Sequence, residues 1–288
     1  MLDLVLRFLI ALMIVLSVLA MGMSLTFGEF GVALRRTRLL ALGFVLNFLA
    51  LPALMLALVL VFSIPGPVAV GLLLCAFTPG NGVGTLLVDH ARGDVRLSLA
   101  LVLMLSVGSV VLTPILLGAV TGGGIEAAFG ATTWQMIQLI LVFQLLPLVA
   151  GLLLRRYASA VALRAQPGIA RGARLLVLIV IAAFLATKWE LFMTNGLRPL
   201  FVSVIAILAS FALGWATPRV TRGERASFAM TSMIRNLALA LLLATTYFSD
   251  SATIAAMLVY ALLMFVAGFA IAAWLRRSTP LIESATNP

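Results

Sequence analysis

The sequence predicts an all-α polytopic membrane protein, and three observations predict it. Composition comes first: of 288 residues, 64% are hydrophobic and 10% charged, with a mean hydropathy of +1.23. A soluble domain carries about 25% charge and roughly 45–50% apolar residues, so there is too little polar surface here to cover a water-soluble globule. Second, apolar runs such as LLALGFVLNFLALPALMLALVLVF do not alternate. In lipid the backbone must satisfy itself, which leaves helices or a closed barrel, and barrel strands alternate apolar with polar over about ten residues. Third, the basic residues gather between the apolar runs, at every second connection.

A helix needs about 20 apolar residues to cross the hydrocarbon. Nine segments qualify, roughly 4–23, 38–62, 67–91, 95–120, 133–154, 174–194, 198–217, 225–248 and 251–275. The first has the apolar core of a signal peptide. Its run continues through Met23 with no A-x-A type cleavage site, so it is read as a retained span. Connections are short, and the tail after Arg277 is too short to fold alone, so residues 1–288 are read as one membrane domain.

Orientation follows from Lys and Arg. Arg35, Arg36 and Arg38 follow span one, and Arg92 and Arg96 follow span three. Arg155, Arg156, Arg164, Arg171 and Arg174 follow span five. Arg219, Arg222 and Arg225 follow span seven, and Arg276 and Arg277 follow span nine. With nine spans these groups share one side, while Arg7, Lys188 and Arg198 lie on the other. The excess on one side places the C-terminus in the cytoplasm and the N-terminus outside. The expected location is a bacterial inner (plasma) membrane. The net charge of +10 is thereby a topology signal beside an anionic leaflet and requires no nucleic-acid partner.

Two spans break their own pattern. Span three carries PGNGVG, Pro79 to Gly84, near its middle. Proline removes a donor and glycine favours non-helical backbone. Such backbone is tolerated at depth only inside protein or beside a watery cavity. Span eight carries TSMIRN, Thr231 to Asn236, which puts Arg235 near mid-membrane. An arginine there costs about 2.5–3.5 kcal/mol on insertion scales and faces a cavity or a partner. Interrupted helices in corresponding places of two halves point to a secondary-transporter site of inverted-repeat type. Their half-helix N-termini would carry partial positive charge and free N–H groups, making a polar chamber suited to an anion.

Other polar residues inside spans are fewer. Asn47 in span two is a candidate third wall of that chamber, and Ser98 stands early in span four. Gln138 and Gln144 in span five either share one groove or hydrogen-bond to neighbouring helices. Lys188 and Glu190 are placed at the outer interface, and Asp89 and His90 in solvent. Cys75 alone excludes an intramolecular disulfide, and one Cys with one His cannot hold zinc. No P-loop, dinucleotide fingerprint, nucleophile elbow, Ser–His set or paired carboxylates at mid-depth suggests an enzyme.

Four stretches carry a resemblance. MGMSLTFGEF (Met21 to Phe30), GFVLNFLALP, TPGNGVGTLLVDHARGDVRLS and TSMIRNLALALLLATTYF resemble, in order and spacing, signatures of the bile acid:sodium symporter family in its nine-span form. The resemblance implies two crossing broken helices, a core of spans about 38–120 and 198–275, and a panel of spans about 4–23 and 133–194. It also implies alternating access for organic anions, usually with sodium. The family's sodium ligands carry over poorly. Its Ser-Asn pair after the first break falls on Gly84 and Thr85. Its serine is kept as Ser98, but the threonine one turn later is Val102. Its glutamate falls on Thr231, its Gln-Asn pair on Arg235 and Asn236, and a further glutamine on Asn47. The site has lost a carboxylate and gained a guanidinium, which would repel a cation at low effective dielectric.

The expectation is therefore a secondary transporter of a small organic anion, without enzymatic activity, with no cofactor and with Arg235 in the place of a sodium ion. The candidate site comprises Asn47, Ser98 and two groups: Pro79, Gly80, Asn81, Gly82 and Thr85 of the first break, and Thr231, Ser232, Arg235 and Asn236 of the second. A conventional sodium-coupled symporter is one alternative; a channel or non-transporting receptor or scaffold is another. An arsenite-type exporter would need a reactive cysteine, and Cys75 in its apolar run is a poor one.

Overall fold

A computed structural model describes residues 2–26, 28, 36–121, 130–194, 197–248 and 250–278. Among them every regular element is helical. The helices are α1 (Leu2–Ser24), α2 (Thr37–Val61), α3 (Gly66–Phe77), α4 (Gly82–His90), α5 (Val95–Val120) and α6 (Thr133–Tyr157). They continue with α7 (Ser159–Thr194), α8 (Leu197–Trp215), α9 (Arg222–Met233), α10 (Leu237–Tyr247) and α11 (Ser251–Ser278). Arg7, Lys188 and Glu190, given interfacial places by the sequence, have side chains outside the described residues, as does most of the Met21–Phe30 stretch beyond Thr26.

By length and composition, six of these helical stretches can cross a membrane, and the bent pair Gly66–Phe77 and Gly82–His90 makes a seventh. The first expected span is helical, but its described apolar part, Phe8–Ser24, is shorter than the rest. The sixth runs into residues whose side chains are not described. Nine spans is thus a count that the sequence carries alone.

One expected connection is also helical. The stretch after Arg156 breaks only at Ala158, and α7 starts at Ser159 and runs through Pro167. The segment AVALRAQPGIARGARLL is rich in Ala, Leu and Arg, the strongest helix formers, and this outweighs the proline.

The core is organised around the α9–α10 span, whose best membrane window is fully buried. α10 is LALALLLATTY, apolar all round, and Leu237 to Thr245 are all buried; a helix without a polar face belongs at the centre of a bundle. α8 and α4 flank α9, α1 and α3 flank α10, and α11 lies along α3 and α8. α1 also packs on α6 and α7. The α1–α6 crossing is exceptionally close: a Cβ on Gly22 would run into the Leu148 carbonyl oxygen, and one on Gly151 into the Leu19 carbonyl oxygen. Small residues at such crossings let helices associate in lipid, where no hydrophobic force separates protein from solvent.

One face gathers the ends of several helices. Arg36, just before α2, pairs with Asp94 at 2.7 Å and Glu224 at 3.1 Å. Asp94 caps α5, and Glu224 completes a capping box with Thr221 at the start of α9. Arg222 donates to the Ser278 carbonyl at 2.7 Å, and Arg276 lies 3.3 Å from His90 Nδ1. The connections after expected spans one, three, seven and nine therefore meet on one side, as the arginine pattern requires.

Candidate functional site

The two interrupted spans cross. The first bends by 65° between α3 and α4, over Thr78, Pro79, Gly80 and Asn81. The second is open over Ile234, Arg235 and Asn236 between α9 and α10. Gly80 has φ +93°, and a Cβ there would stand 2.8 Å from both the backbone nitrogen and Oγ of Ser106. Only glycine satisfies both the left-handed backbone and the close approach of α5.

Each break is closed by an asparagine, and the two asparagines act on each other's break. Asn81 Oδ1 accepts from the Val83 N–H at 3.0 Å and so caps α4, while its Nδ2 donates to the Arg235 carbonyl at 2.9 Å. Asn236 Oδ1 accepts from the Leu239 N–H at 3.1 Å and caps α10, while its Nδ2 donates to the Gly80 carbonyl at 3.3 Å. Each side chain thus reaches the carbonyl of the residue just before the other asparagine. The Asn236 N–H adds a bond to the Thr78 carbonyl at 2.8 Å. The sequence suggested free N–H groups facing an open chamber. Here the asparagines themselves occupy part of both half-helix N-termini, because an uncapped helix end in a dry core leaves donors unpaired.

Helix α5 takes up a further carbonyl released by the first break and shares the Gly80 carbonyl with Asn236. Thr113 donates to the Phe77 carbonyl at 2.6 Å, and Ser106 Oγ to the Gly80 carbonyl at 3.2 Å. Buried backbone groups in native proteins are nearly always paired, and this polar stripe on α5 supplies the partners.

Arg235 is 1% exposed and is the only charged side chain among the described buried residues. Its Nη1 donates to Asn47 Oδ1 at 3.1 Å, and Tyr260 on α11 also interacts with the guanidinium. Asn47 in turn donates to Ser232 Oγ at 3.0 Å and to the Gly43 carbonyl at 2.9 Å. A second polar group lies further along α9. Thr231 Oγ1 is 2.9 Å from Ser98 Oγ, which is 3.2 Å from Thr85 Oγ1. This hydroxyl chain joins α4, α5 and α9, and all three residues are buried.

The structure therefore brings the candidate residues into three adjoining sets: Asn47, Ser232 and Arg235; Thr85, Ser98 and Thr231; and Gly80, Asn81 and Asn236. Pro79 lies buried within the first break. Gly82 opens α4 against Met21 of α1, where a Cβ would stand 3.3 Å from the methionine side chain. Gly84 faces Thr231 of α9 and Ile234 of the second break. Cys75 is fully buried, and Asp89 and His90 are exposed.

Sequence reasoning left Gln144 outside the site and offered two readings of Gln138 and Gln144, a shared groove or hydrogen bonds to neighbouring helices; for Gln144 the second holds. Gln138 is exposed, because six residues along a helix turn a side chain well away from the starting face. Gln144 is buried and joins the crossing: Nε2 donates to the Ser106 carbonyl at 2.6 Å and to Ser109 Oγ at 2.8 Å, and Oε1 accepts from Asn236 Nδ2 at 3.2 Å. Both Asn47 and Gln144 stand in π-helical turns, Leu46–Ala50 and Leu141–Leu145. Pro52 and Pro147 each follow two residues after the turn. The shared pattern LNFLALP and LVFQLLP was the available signal: a proline lacks the N–H for a regular turn, and the π-turn that forms is a frequent companion of functional sites.

A helical bundle with two broken, mutually capped spans crossing at its buried centre has the build of a secondary membrane transporter. The chain belongs to the sodium bile acid symporter family, whose model matches residues 11–195; its members are transporters, not enzymes. It is similar to the probable sodium/metabolite cotransporter BASS2, chloroplastic, of Oryza sativa subsp. japonica, at 26% identity over 91% of this chain and 62% of that protein. The probable sodium/metabolite cotransporter BASS1, chloroplastic, of Arabidopsis thaliana is 25% identical over 92% of this chain and 66% of that protein. The uncharacterized sodium-dependent transporter YocS of Bacillus subtilis (strain 168) is 21% identical over 80% of this chain and 71% of that protein. The chain spans less than two thirds of the length of both plant relatives.

Proposed function

We propose that this protein transports a small organic anion by alternating access, with Arg235 taking the place of a coupling sodium ion. The observation that carries the reading is a fully buried guanidinium at the crossing, held by the neutral Asn47. A fixed cation there attracts a carboxylate and repels a metal cation by several kcal/mol at low effective dielectric. Spans of about 38–120 and 198–275 form the core that carries the crossing, and spans of about 4–23 and 133–194 form the panel that moves against it. The N-terminus lies outside a bacterial inner membrane and the C-terminus in the cytoplasm.

Sodium coupling is the second reading. The relatives' names favour it, and Thr85, Ser98 and Thr231 gather three oxygens at one place. The two readings separate in one measurement: melting temperature of the purified protein in sodium chloride against choline chloride at equal ionic strength. A ligand that binds the folded state raises its stability by mass action. We expect no sodium-specific shift; a clear, saturable one establishes sodium coupling instead. Uptake that is sodium-stimulated and unchanged by Arg235→Gln would also overturn the proposal, whereas a channel or scaffold would show neither counterflow nor saturation.

A further inference from the structure

Every polar atom of the Asn236 side chain is committed. Oδ1 caps α10 through Leu239, and Nδ2 divides its two hydrogens between the Gly80 carbonyl at 3.3 Å and Gln144 Oε1 at 3.2 Å. A substrate acceptor arriving at this amide must displace one of those two oxygens. The Gly80 carbonyl is backbone within the crossing itself. Gln144 is a side chain on a separate helix, α6, and its oxygen is an sp² acceptor of the same kind as a carboxylate oxygen. Its amide nitrogen meanwhile grips α5 at Ser106 and Ser109.

We infer that Gln144 is a latch and a stand-in for substrate: its carboxamide holds Asn236 and ties α6 to the crossing when the site is empty, and an incoming acceptor oxygen displaces it and releases α6. The second half of this statement rests on the proposed anion site; the first half does not. The latch also explains the position of the π-turn Leu141–Leu145. One extra residue in the turn rotates the side chain of Gln144 inward, where a regular helix would hold it elsewhere.

The test uses the full chain with Cys75→Ala and nitroxide labels at Leu153→Cys on α6 and Leu213→Cys on α8, two exposed positions, in detergent and choline salts. Double electron–electron resonance reads the α6-to-core distance. Gln144→Leu, and Gln144→Met as a second variant of similar length, are compared with the parent after each elutes as a single species. Loss of the latch is expected to raise the released population by about fivefold or more, the ratio that a net loss near one hydrogen bond produces. Gln144→Glu keeps the acceptor but sets a carboxylate against the Ser106 carbonyl, and it too is expected to release α6. The choline salts of acetate, benzoate and cholate form the second arm, with an effective one expected to shift the parent toward the Gln144→Leu distribution. Variants with the parent's distance distribution overturn the latch, even if an anion shifts the parent. Release by the variants with no response to any anion keeps the latch and overturns both the stand-in role and the anion reading behind it.

Discussion

Arg235 sits where its burial is most costly, and the structure gives it amide and phenol partners in place of a carboxylate. Removing one partner of a buried charge is worse than never having built the pair. Asn47→Leu is therefore expected to destabilise the protein by about 1.5–3 kcal/mol, the range for a hydrogen bond to a charged group, read as a lowered midpoint in thermal unfolding; an unchanged midpoint would show that the guanidinium finds its partner elsewhere. Thr231 differs, because its hydroxyl ends a neutral chain through Ser98 to Thr85. Thr231→Val keeps the shape, and a neutral hydrogen bond is worth about 0.5–1.5 kcal/mol. A midpoint drop of that small size is expected, with anion-dependent stabilisation intact. Loss of that stabilisation would place the hydroxyl chain in the substrate's path.

At the scale of elements, the crossing works because each broken helix supplies the cap and the partner of the other. Asn81→Ala and Asn236→Ala each remove an N-cap, worth about 0.5–2 kcal/mol, and each also strips a carbonyl of the opposite break. Their effects should not add. A double-mutant cycle is expected to show a coupling of about 0.5–3 kcal/mol, and strict additivity would mean that the breaks are stabilised independently. The α1–α6 contact tests a different force. Gly151→Ala drives a methyl into the Leu19 carbonyl oxygen, so the helices must separate. Overpacking of this kind costs about 1–3 kcal/mol, again visible in the unfolding midpoint, while Gly172→Ala on α7, with open space around it, is the neutral control.

At the scale of the whole molecule, contacts between helix ends fix which connections share a face, and the proposal that this face is cytoplasmic rests on the distribution of charge. Arg36, Asp94 and Glu224 meet on it, as do Arg222 and Ser278. In a Cys75→Ala background, Arg222→Cys and Arg277→Cys are expected to react with a membrane-impermeant thiol reagent only after permeabilisation, and Arg198→Cys in intact cells. Reaction of Arg222→Cys and Arg198→Cys from the same side would break the span parity. The exposed ion pairs themselves contribute little, since such pairs are worth about 0–1 kcal/mol; their use is in showing register, not in holding the bundle together.

The sequence by itself determined the class, the pattern of basic connections and the two breaks. Each rests on a local property: apolar length, arginine position, and the conflict between proline or glycine and a helix. Asn47, Ser98, Thr231 and Arg235 were legible because a polar side chain inside an apolar run has few reasons to be there. What only the tertiary structure decided is how those groups are paired. Nothing local says that Asn81 reaches the carbonyl before Asn236 and Asn236 the carbonyl before Asn81, because each bond spans more than 150 residues. Gln144 was ambiguous for the same reason. Its inward turn depends on a π-helical residue and on a partner 92 positions away, and hydrogen bonding in a dry core is settled by which groups meet, not by which groups exist.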